Sequence, residues 1–400
     1  MKKKFFSSIL LMLLVMVFPL VSFAEEDASL AKENVPVNVS IEKGSYNKGE
    51  VIVKFKDSVS LNSQEQILKD VNAKVQPSPN VVKSPFVVLE VGDVESVVKT
   101  LNSNAKVEYA EPNYILKAAW TPNDTYFSTS YQYGLFNTSA DHAWDYARGS
   151  ASQEIAVLDT GVDYNHPDLN GKTNRGYDFV DRDYTPSDAN GHGTHVAGIA
   201  AAETNNGTGI AGMAPNTDIL AVRVLDASGN GSLSNIANGI RYAADNGAEV
   251  INLSLGCACD TQTLESAVNY AWNSGSVVVA AAGNDGTSQQ FQPASYANAI
   301  AVGAVDRNNN KASFSNYGTW VDVSAPGVDI ASTYPGNGYA YLSGTSMASP
   351  YVAGQAALLT GQGKSNAQVR AAIQNTADSV SGTGYYVRYG LINVLDSVRY

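Results

Sequence analysis

Short apolar segments recur after residue 150, and they constrain the fold more than any other feature of the chain. Five such runs of four to six residues stand between polar, glycine-containing stretches: 155–158, 219–222, 250–253, 276–281 and 299–302. Stretches with helical spacing alternate with them or follow them: 194–202, 233–245, 263–273 and 346–360. Continuous apolar runs are typical of parallel strands that helices cover on both faces. The pattern predicts one large α/β domain with a doubly wound, mainly parallel sheet.

The chain before residue 120 has a different texture. Strand-like segments at 49–56, 87–91 and 105–110 alternate with helical ones at 63–75 and 94–101. The order β-α-β-α-β predicts a small α+β domain, and residues 25–119 contain no His or Cys that could cluster for catalysis.

Charge separates the two regions as well. Residues 1–119 carry equal numbers of basic and acidic residues, so the net charge of −12 belongs to 120–400. A surplus of acid opposes nucleic-acid binding, which needs Lys and Arg against the phosphates. Surplus carboxylates suit cation binding.

The first 24 residues have the pattern of a secretory signal peptide. Three lysines precede an apolar run from Phe5 to Val21, and the small residues Ser22 and Ala24 follow it. A membrane anchor is the alternative. We therefore expect a signal peptide at 1–24, a small domain at 25–119, a large domain at 120–400, and an extracellular mature protein. Disulfides persist outside the cell, so Cys257 and Cys259 are either bridged in a tight ring or two free thiols.

Three segments carry the groups that acyl transfer by a serine requires. Asp159 ends the first apolar run, His192 lies in Asn-Gly-His-Gly-Thr-His-Val-Ala-Gly, and Ser346 lies in Gly-Thr-Ser-Met-Ala-Ser-Pro. A serine nucleophile needs a base to take its proton, and the base needs an acid to orient it. Each residue alone is a weak signal, but the three together predict a serine hydrolase.

The order Asp159, His192, Ser346 and the motifs around them resemble the subtilisin family of serine proteases, the subtilases, over residues 120–400. Residues 121–124 and 381–384 resemble its thermitase-like, calcium-dependent extracellular branch. The resemblance implies a subtilisin-like α/β fold with a mainly parallel seven-stranded sheet flanked by helices. It also implies that 25–119 is a propeptide, an α+β domain that inhibits the enzyme and assists its folding.

The same resemblance implies a secreted serine endopeptidase that matures itself. Ser346 is then the nucleophile and His192 the general base, while Asp159 orients the imidazole and the Asn284 amide stabilises the oxyanion. His195, one helical turn after His192, is expected to be packed and hydrogen-bonded.

Substrate is expected to lie as an extended strand between two chain edges. The implied binding residues are Gly229, Asn230, Gly231, Ser254, Leu255, Gly256, Ala281, Ala282 and Gly283. None of them is charged, which favours apolar side chains in the primary pocket. Self-cleavage at 119/120, after Leu-Lys-Ala-Ala, agrees with that preference.

Calcium sites are implied as a second functional feature. One loop site comprises Asp178, Asp181, Asp183 and Thr185, and hard oxygen ligands of this kind suit calcium. A tighter site comprises Asp124, Asp168 and Asn206 with the carbonyls of Glu203, Thr208 and Ile210. The family has Val where Glu203 stands, and only a carbonyl is required there. A third, weak site for calcium or sodium is implied near Ala294, Tyr296 and Ala299.

Other functions fit the sequence less well. Residues 207–212 spell G-x-G-x-x-G, but a helical stretch precedes them and a strand follows, the reverse of a dinucleotide site. Ser346 lacks the G-x-S-x-G elbow of an α/β-hydrolase esterase. A catalytically inactive subtilase fold used as a binding module is the remaining alternative. The expected partners are protein substrates and the chain's own propeptide, with no nucleic acid or membrane, and the mature protein is expected to be a monomer.

Overall fold

The structure, a computed structural model, describes residues 39–77, 84–118 and 120–400 and divides into two compact units, the second of which begins at Trp120. The predicted signal peptide at 1–24, residues 25–38, and Ala119 of the predicted cleavage junction lie outside the described residues. The exact domain boundaries therefore stay predictions. No helix within the described ranges is long and apolar enough to cross a bilayer.

The first unit is the expected α+β domain. Its elements are β1 (Val39–Phe55), α1 (Leu61–Asp70), β2 (Lys74–Val75), β3 (Val87–Glu90), α2 (Val94–Asn102) and β4 (Val107–Ala118). The strands form an antiparallel sheet in the order β2-β3-β1-β4. Alternate residues of β1, Val51 and Val53, are buried with Leu89 and Leu101, so one sheet face and the helices share the core. The last strand continues to Ala118, well beyond the predicted end at residue 110.

The second unit contains eight helices and ten strands. In chain order, the elements up to residue 273 are α3 (Tyr133–Asn137), α4 (Ala140–Ala143), β5 (Glu154–Asp159), β6 (Thr173–Asp178), α5 (His192–Ala201), β7 (Asp218–Arg223), α6 (Leu233–Asp245), β8 (Val250–Leu253) and α7 (Gln262–Asn273). They are followed by β9 (Val277–Ala281), β10 (Ala299–Val305), β11 (Val323–Pro326), β12 (Ile330–Tyr334), β13 (Gly338–Leu342), α8 (Thr345–Gly361), α9 (Asn366–Asn375), β14 (Gly390–Leu391) and α10 (Val394–Arg399).

The predicted parallel α/β architecture is confirmed, with one difference in strand number. The sheet has eight strands in the order β14-β11-β10-β9-β8-β5-β7-β6, and every neighbouring pair is parallel. The expected number was seven, and the two-residue β14 at one edge contributes to the higher count. The first strand of the unit, β5, lies between β7 and β8, so the strand order reverses beside it. In doubly wound sheets such a reversal opens a crevice at the carboxyl ends of the strands.

Helix α8 is buried almost throughout its length. Only Ser346 and Gly361 fall outside its buried residues, so the helix is apolar on all sides rather than on one stripe. Small residues let it approach its neighbours closely: a Cβ on Gly354 would meet the side chain of Met213 and the carbonyl of Ala200. Helix α8 therefore packs closely against α5, which contains Ala200.

Helix α5 is held against the β12–β13 hairpin by side-chain hydrogen bonds. The hydroxyl of Ser332 donates to the carbonyl oxygen of His195 at 2.7 Å, and that of Thr333 donates to the carbonyl of Thr194 at 2.8 Å. Gly198 permits this contact, because a Cβ there would meet both hydroxyl oxygens.

Gly198→Ala tests whether this close approach stabilises the domain. The added methyl group must displace the hairpin or break both hydrogen bonds, which costs about 1–3 kcal/mol for overpacking. We expect a lower midpoint of thermal unfolding, measured by circular dichroism. An unchanged midpoint would show that the hairpin can shift to accommodate the methyl group without loss of stability.

Candidate active site

Asp159 and His192 meet where β5 ends and α5 begins. The Nδ1 atom of His192 lies 2.8 Å from Oδ1 of Asp159, and the Asp159 side chain is fully buried while that of His192 is 28% exposed. The same Oδ1 accepts the backbone N–H of Thr160 at 2.7 Å, whereas Oδ2 is buried and has no hydrogen-bond partner among the residues that the structure describes. With Nδ1 tied to the carboxylate, Nε2 is the nitrogen left for proton transfer.

The charges around His192 raise its pKa above the ordinary value. Burial lowers the pKa of this group, but the charge and hydrogen bond of Asp159, together with the charge of Asp188, outweigh burial and raise it overall. Opposite charge near a base stabilises its cationic form in this way. The pair is therefore suited to accepting a proton.

Ser346 stands in the first turn of α8, where the backbone N–H groups lack helical partners. Its hydroxyl donates to the carbonyl oxygen of Ser254 at 3.2 Å, and the Ser254 hydroxyl donates back to the carbonyl of Ser346 at 2.8 Å. The hydroxyl of Ser346 thus points to the chain edge at Ser254 rather than to the imidazole. The N-terminal end of the helix favours negative charge beside this residue.

The side chain of Asn284 is oriented by Thr345. Its Oδ1 accepts both the backbone N–H of Thr345 at 2.8 Å and the Thr345 hydroxyl at 2.9 Å. The fully buried Thr345 hydroxyl in turn accepts the N–H of Gly283 at 3.1 Å. Because Oδ1 accepts both of these bonds, Nδ2 is the donor on the other side of the amide. This fixes the orientation in which the amide could stabilise an anion.

A cleft of about 630 Å³ brings these groups together. Its lining includes His192, Ser346 and Asn284 and the predicted substrate-binding residues Gly229, Asn230, Gly231, Ser254, Leu255, Gly256, Ala281 and Gly283. Ala282, also predicted to border the pocket, is not among these lining residues. Its side chain is fully buried in a cluster with Val321 and Val387, because neighbouring residues of an extended chain face opposite sides.

Other lining residues were missed by the sequence analysis. Thr160, Asn190, Leu225, Ser228, Ile236, Asp285, Phe291 and Thr345 also line the cleft. Phe291 has the clearest position, since a Cβ on either Gly256 or Gly283 would meet its ring. Those two glycines were predicted to bind substrate, but a single aromatic residue in a polar stretch gives no periodic signal that would have identified Phe291.

His195 is packed and hydrogen-bonded, as expected. It is fully buried, and its Nε2 lies 3.0 Å from the carbonyl oxygens of both Ile330 and Ala340 on the hairpin. Burial lowers its pKa to about 3, so the ring is neutral at pH 7.

The residues of the tighter predicted cation site fit a hard cation. Asp124 and Asp168 are 5% and 0% exposed, and neither carboxylate forms an ion pair within the described residues. Burial raises the pKa of Asp124 to about 6 and also raises that of Asp168. The Asn206 amide donates to Oδ1 of Asp168 at 3.0 Å and its backbone N–H donates to Oδ1 of Asp124 at 3.4 Å, so these three predicted ligands do lie together. Buried acidic oxygens without a cationic side chain are the donor set that calcium takes.

The loop from Asp178 to Thr185 fits a cation less well. Arg223 donates to Oδ2 of Asp178 at 2.8 Å and to Oδ2 of Asp181 at 2.6 Å, so a guanidinium already balances two carboxylates. Asp181 is 63% exposed at its side chain, and Asp183 Oδ1 accepts the N–H of Thr185 at 2.7 Å. Within the described residues, no three His, Cys, Asp or Glu side chains converge as a metal cluster.

The third predicted site does not fit. Arg370 already donates to the carbonyl oxygen of Ala299 at 3.0 Å, and the carbonyl of Tyr296 accepts the N–H of Ala299 at 3.0 Å. Ala294 is buried beside them. The guanidinium at the Ala299 carbonyl repels a cation at this position.

Cys257 and Cys259 directly follow the cleft edge at 254–256. Their sulfur atoms are bonded in the structure, with the Cα atoms 5.2 Å apart, and the backbone of Cys257 pairs with Gln292 in an antiparallel bridge. The ring contains a single intervening residue, so its loop-closure entropy is small. The redox state of the pair in solution stays a prediction.

Comparison with known proteins agrees with this geometry. Residues 151–391 match the subtilase family, peptidase S8, and residues 32–113 match the fervidolysin N-terminal prodomain. A thermophilic serine proteinase of Bacillus sp. (strain AK1) is 64% identical over 402 residues, covering 100% of both chains. Thermitase of Thermoactinomyces vulgaris is 61% identical over 281 residues, which is 70% of this chain and 100% of thermitase.

Solved structures show the same relationship. A protease of Pseudoalteromonas arctica is 34% identical with a TM-score of 0.63, covering 70% of this chain and 99% of its own. A cold-adapted subtilisin-like serine proteinase is 38% identical with a TM-score of 0.57, covering 61% of this chain and 90% of its own. The chain belongs to the subtilase family of serine proteinases and carries an N-terminal prodomain.

Proposed function

We propose that this subtilase is a secreted, calcium-stabilised endopeptidase in which Ser346, His192 and Asp159 form the catalytic triad. The observation that carries the proposal is the 2.8 Å contact between His192 and Asp159 at a cleft that Ser346 and Asn284 also line. An inactive binding module would not need this set of groups at one cleft.

Catalysis begins when the Ser346 hydroxyl turns from the carbonyl of Ser254 toward Nε2 of His192. The imidazole takes the hydroxyl proton as the oxygen attacks the scissile carbonyl, and it later gives that proton to the leaving amine. Asp159 keeps Nδ1 protonated and stabilises the imidazolium that forms between these steps. Water then hydrolyses the acyl-enzyme by the same proton transfers in reverse order.

Two donors would stabilise the negative oxygen of the tetrahedral intermediate. They are the backbone N–H of Ser346 at the start of α8 and Nδ2 of Asn284. Thr345 holds the Asn284 amide in place before substrate arrives, so no reorganisation is needed when charge develops.

The cleft supports binding of an extended peptide with an apolar primary side chain. Gly229–Gly231 and Ser254–Gly256 offer two backbone edges for strand pairing. Phe291 packs near Gly256 and Gly283 and adds an aromatic wall. Asp285 is the acidic residue in this lining, and its negative charge disfavours acidic side chains of a substrate.

Secretion and maturation belong to the same proposal. The signal pattern at 1–24 supports export, and the prodomain match supports a precursor that is cleaved near 119/120. The first unit is compact, and residues 25–119 contain no His or Cys. These features suit an inhibitor rather than a second enzyme.

Calcium is proposed at the site of Asp124, Asp168, Asn206 and the carbonyls of Glu203, Thr208 and Ile210. A bound calcium ion would neutralise the two buried carboxylates and so stabilise the fold. The loop at 178–185 is a weaker candidate, because Arg223 already pairs with two of its carboxylates.

Ser346→Ala tests the nucleophile. We expect peptide-anilide hydrolysis to fall by at least about a thousandfold, and the precursor to stay uncleaved because the same hydroxyl serves both reactions. Ser349→Ala is the matched control. Ser349 lies one turn further along α8, where its buried hydroxyl donates a hydrogen bond to Oδ1 of Asn252 at 2.7 Å. Normal precursor cleavage in the Ser346→Ala protein would exclude self-maturation.

The isolated 25–119 segment tests the propeptide assignment. Added to mature enzyme, it should inhibit hydrolysis in a saturable manner, because its C-terminal end would occupy the cleft like a product. Heat-denatured segment serves as the control. No inhibition at micromolar concentration would contradict the assignment.

Calcium dependence tests the metal site. In a Ser346→Ala background, which prevents self-digestion, calcium should raise the thermal midpoint. One site contributes roughly 2.7 kcal/mol at a hundredfold excess over its dissociation constant. Asp168→Asn should remove most of this increase and Asp181→Asn only a small part. If both variants keep the full calcium response, the sites are misassigned.

A further inference from the structure

Asp188 is the most heavily hydrogen-bonded carboxylate beside the cleft, and the triad does not include it. Its Oδ1 accepts the Thr160 hydroxyl at 2.8 Å and the backbone N–H groups of Asn190 and Gly191 at 2.9 Å each. Its Oδ2 accepts the N–H of Thr194 at 2.9 Å and the Thr194 hydroxyl at 2.6 Å. Five donors converge on one half-buried side chain.

These bonds replace the missing cap of α5. The N-cap residue, Gly191, has no side chain, so the first N–H groups of the helix need acceptors from elsewhere. Asp188 supplies them for Gly191 and Thr194, and the Thr160 hydroxyl accepts the N–H of Gly193 at 3.0 Å. The residues on both sides of His192 are therefore fixed by Asp188 and Thr160, and the negative charge also suits the helix N-terminus.

The same contacts join α5 to the end of β5. Thr160 directly follows Asp159, so its hydrogen bond to Asp188 ties the strand that carries the acid to the helix that carries the base. The 2.8 Å contact between Asp159 and His192 spans the same two elements. A shift of α5 relative to β5 would lengthen it.

A second observation concerns the free oxygen of Asp159. Among the described residues, Oδ2 of Asp159 is buried without a hydrogen-bond partner, although the neighbouring Thr160 carries a hydroxyl. That hydroxyl donates to Asp188 instead. The Thr160 hydroxyl therefore does not compete with the imidazole of His192 for the carboxylate of Asp159.

We propose that Asp188 is a positioning residue for catalysis, which fixes the first turn of α5 and directs the Thr160 hydroxyl away from Asp159. The proposal rests on the triad assigned above. Asp188 acts on the reaction only through His192 and Asp159, since its own oxygens are occupied by backbone and hydroxyl donors.

The charge of Asp188 gives the proposal a pH signature. The groups that act on His192 are Asp159 and Asp188, both of which raise its pKa, and the neutral His195 one turn further along α5. Removing the charge of Asp188 lowers the pKa of His192. The acid limb of the kcat/KM profile then moves to lower pH, because the imidazole stays unprotonated there.

Asp188→Asn, compared with Asp396→Asn, is the test. Asn keeps one oxygen for the donors at Oδ1 but offers no acceptor to Thr194. We expect kcat to fall roughly tenfold with little change in KM and the acid-limb pKa to fall by roughly half a unit. Asp396, an exposed residue of α10, is the charge-matched control and should leave both unchanged.

Thr160→Val separates positioning from charge. The substitution keeps the side-chain shape and the Asp188 charge but removes the relay between Gly193 and Asp188. We expect kcat to fall while the acid-limb pKa changes little. This variant also decides the question if Asp188→Asn yields no folded protein, because an unchanged kcat in Thr160→Val would then overturn the proposal.

Active-site titration with a serine-directed inhibitor keeps the readouts distinct. Rates are expressed per titrated site, so a misfolded fraction does not count as lost catalysis. A wild-type enzyme that the inhibitor does not titrate would contradict the triad itself. A wild type that titrates, with Asp188→Asn unchanged in kcat and pH profile, would overturn only the role of Asp188.

Discussion

Close helix packing against the parallel sheet is the constraint on which the site depends. Helix α8 passes through the core with almost every residue buried, and Gly354 lets it lie against the Met213 side chain and the Ala200 carbonyl at the end of α5. The first turns of both helices then reach the carboxyl edge of the sheet. Three groups that are far apart in sequence are held there by backbone rather than by flexible side chains, which is how loops on a rigid α/β scaffold gain precision.

The sequence predicted the parts of the fold whose burial is uniform. Strands β5, β7, β8, β9 and β10 lie inside the sheet, and their apolar runs identify them; α6 also has the predicted bounds. Strand β6 lies at the edge and reads Thr-Asn-Arg-Gly-Tyr-Asp, a polar pattern that gives no strand signal. The β12–β13 hairpin was missed because its residues contact a helix on one side and are partly exposed in β13.

For the site, motifs identified the reacting groups but not their supports. Asp159, His192, Ser346 and Asn284 were found because residue type, spacing and family resemblance agreed. Asp188, Thr160 and Thr345 act through hydrogen bonds to other residues of the site, and they stand in polar or mixed segments where no periodic pattern marks one side chain over the next. The arginines are a similar case: Arg223 and Arg370 reach carboxylates and carbonyls that are distant in sequence, so competition with a cation became visible only in three dimensions.

The unpartnered oxygen of Asp159 has a consequence for protein engineering. A buried acceptor without a donor destabilises the folded state by about 1–3 kcal/mol. A substitution that places a hydroxyl or amide beside Oδ2 would recover this energy and make the protein more heat-resistant. The same donor would make the carboxylate a weaker partner for the imidazole, so that gain in resistance would come with slower turnover. At this atom stability and activity are opposed, and selection for heat resistance alone would favour the less active enzyme.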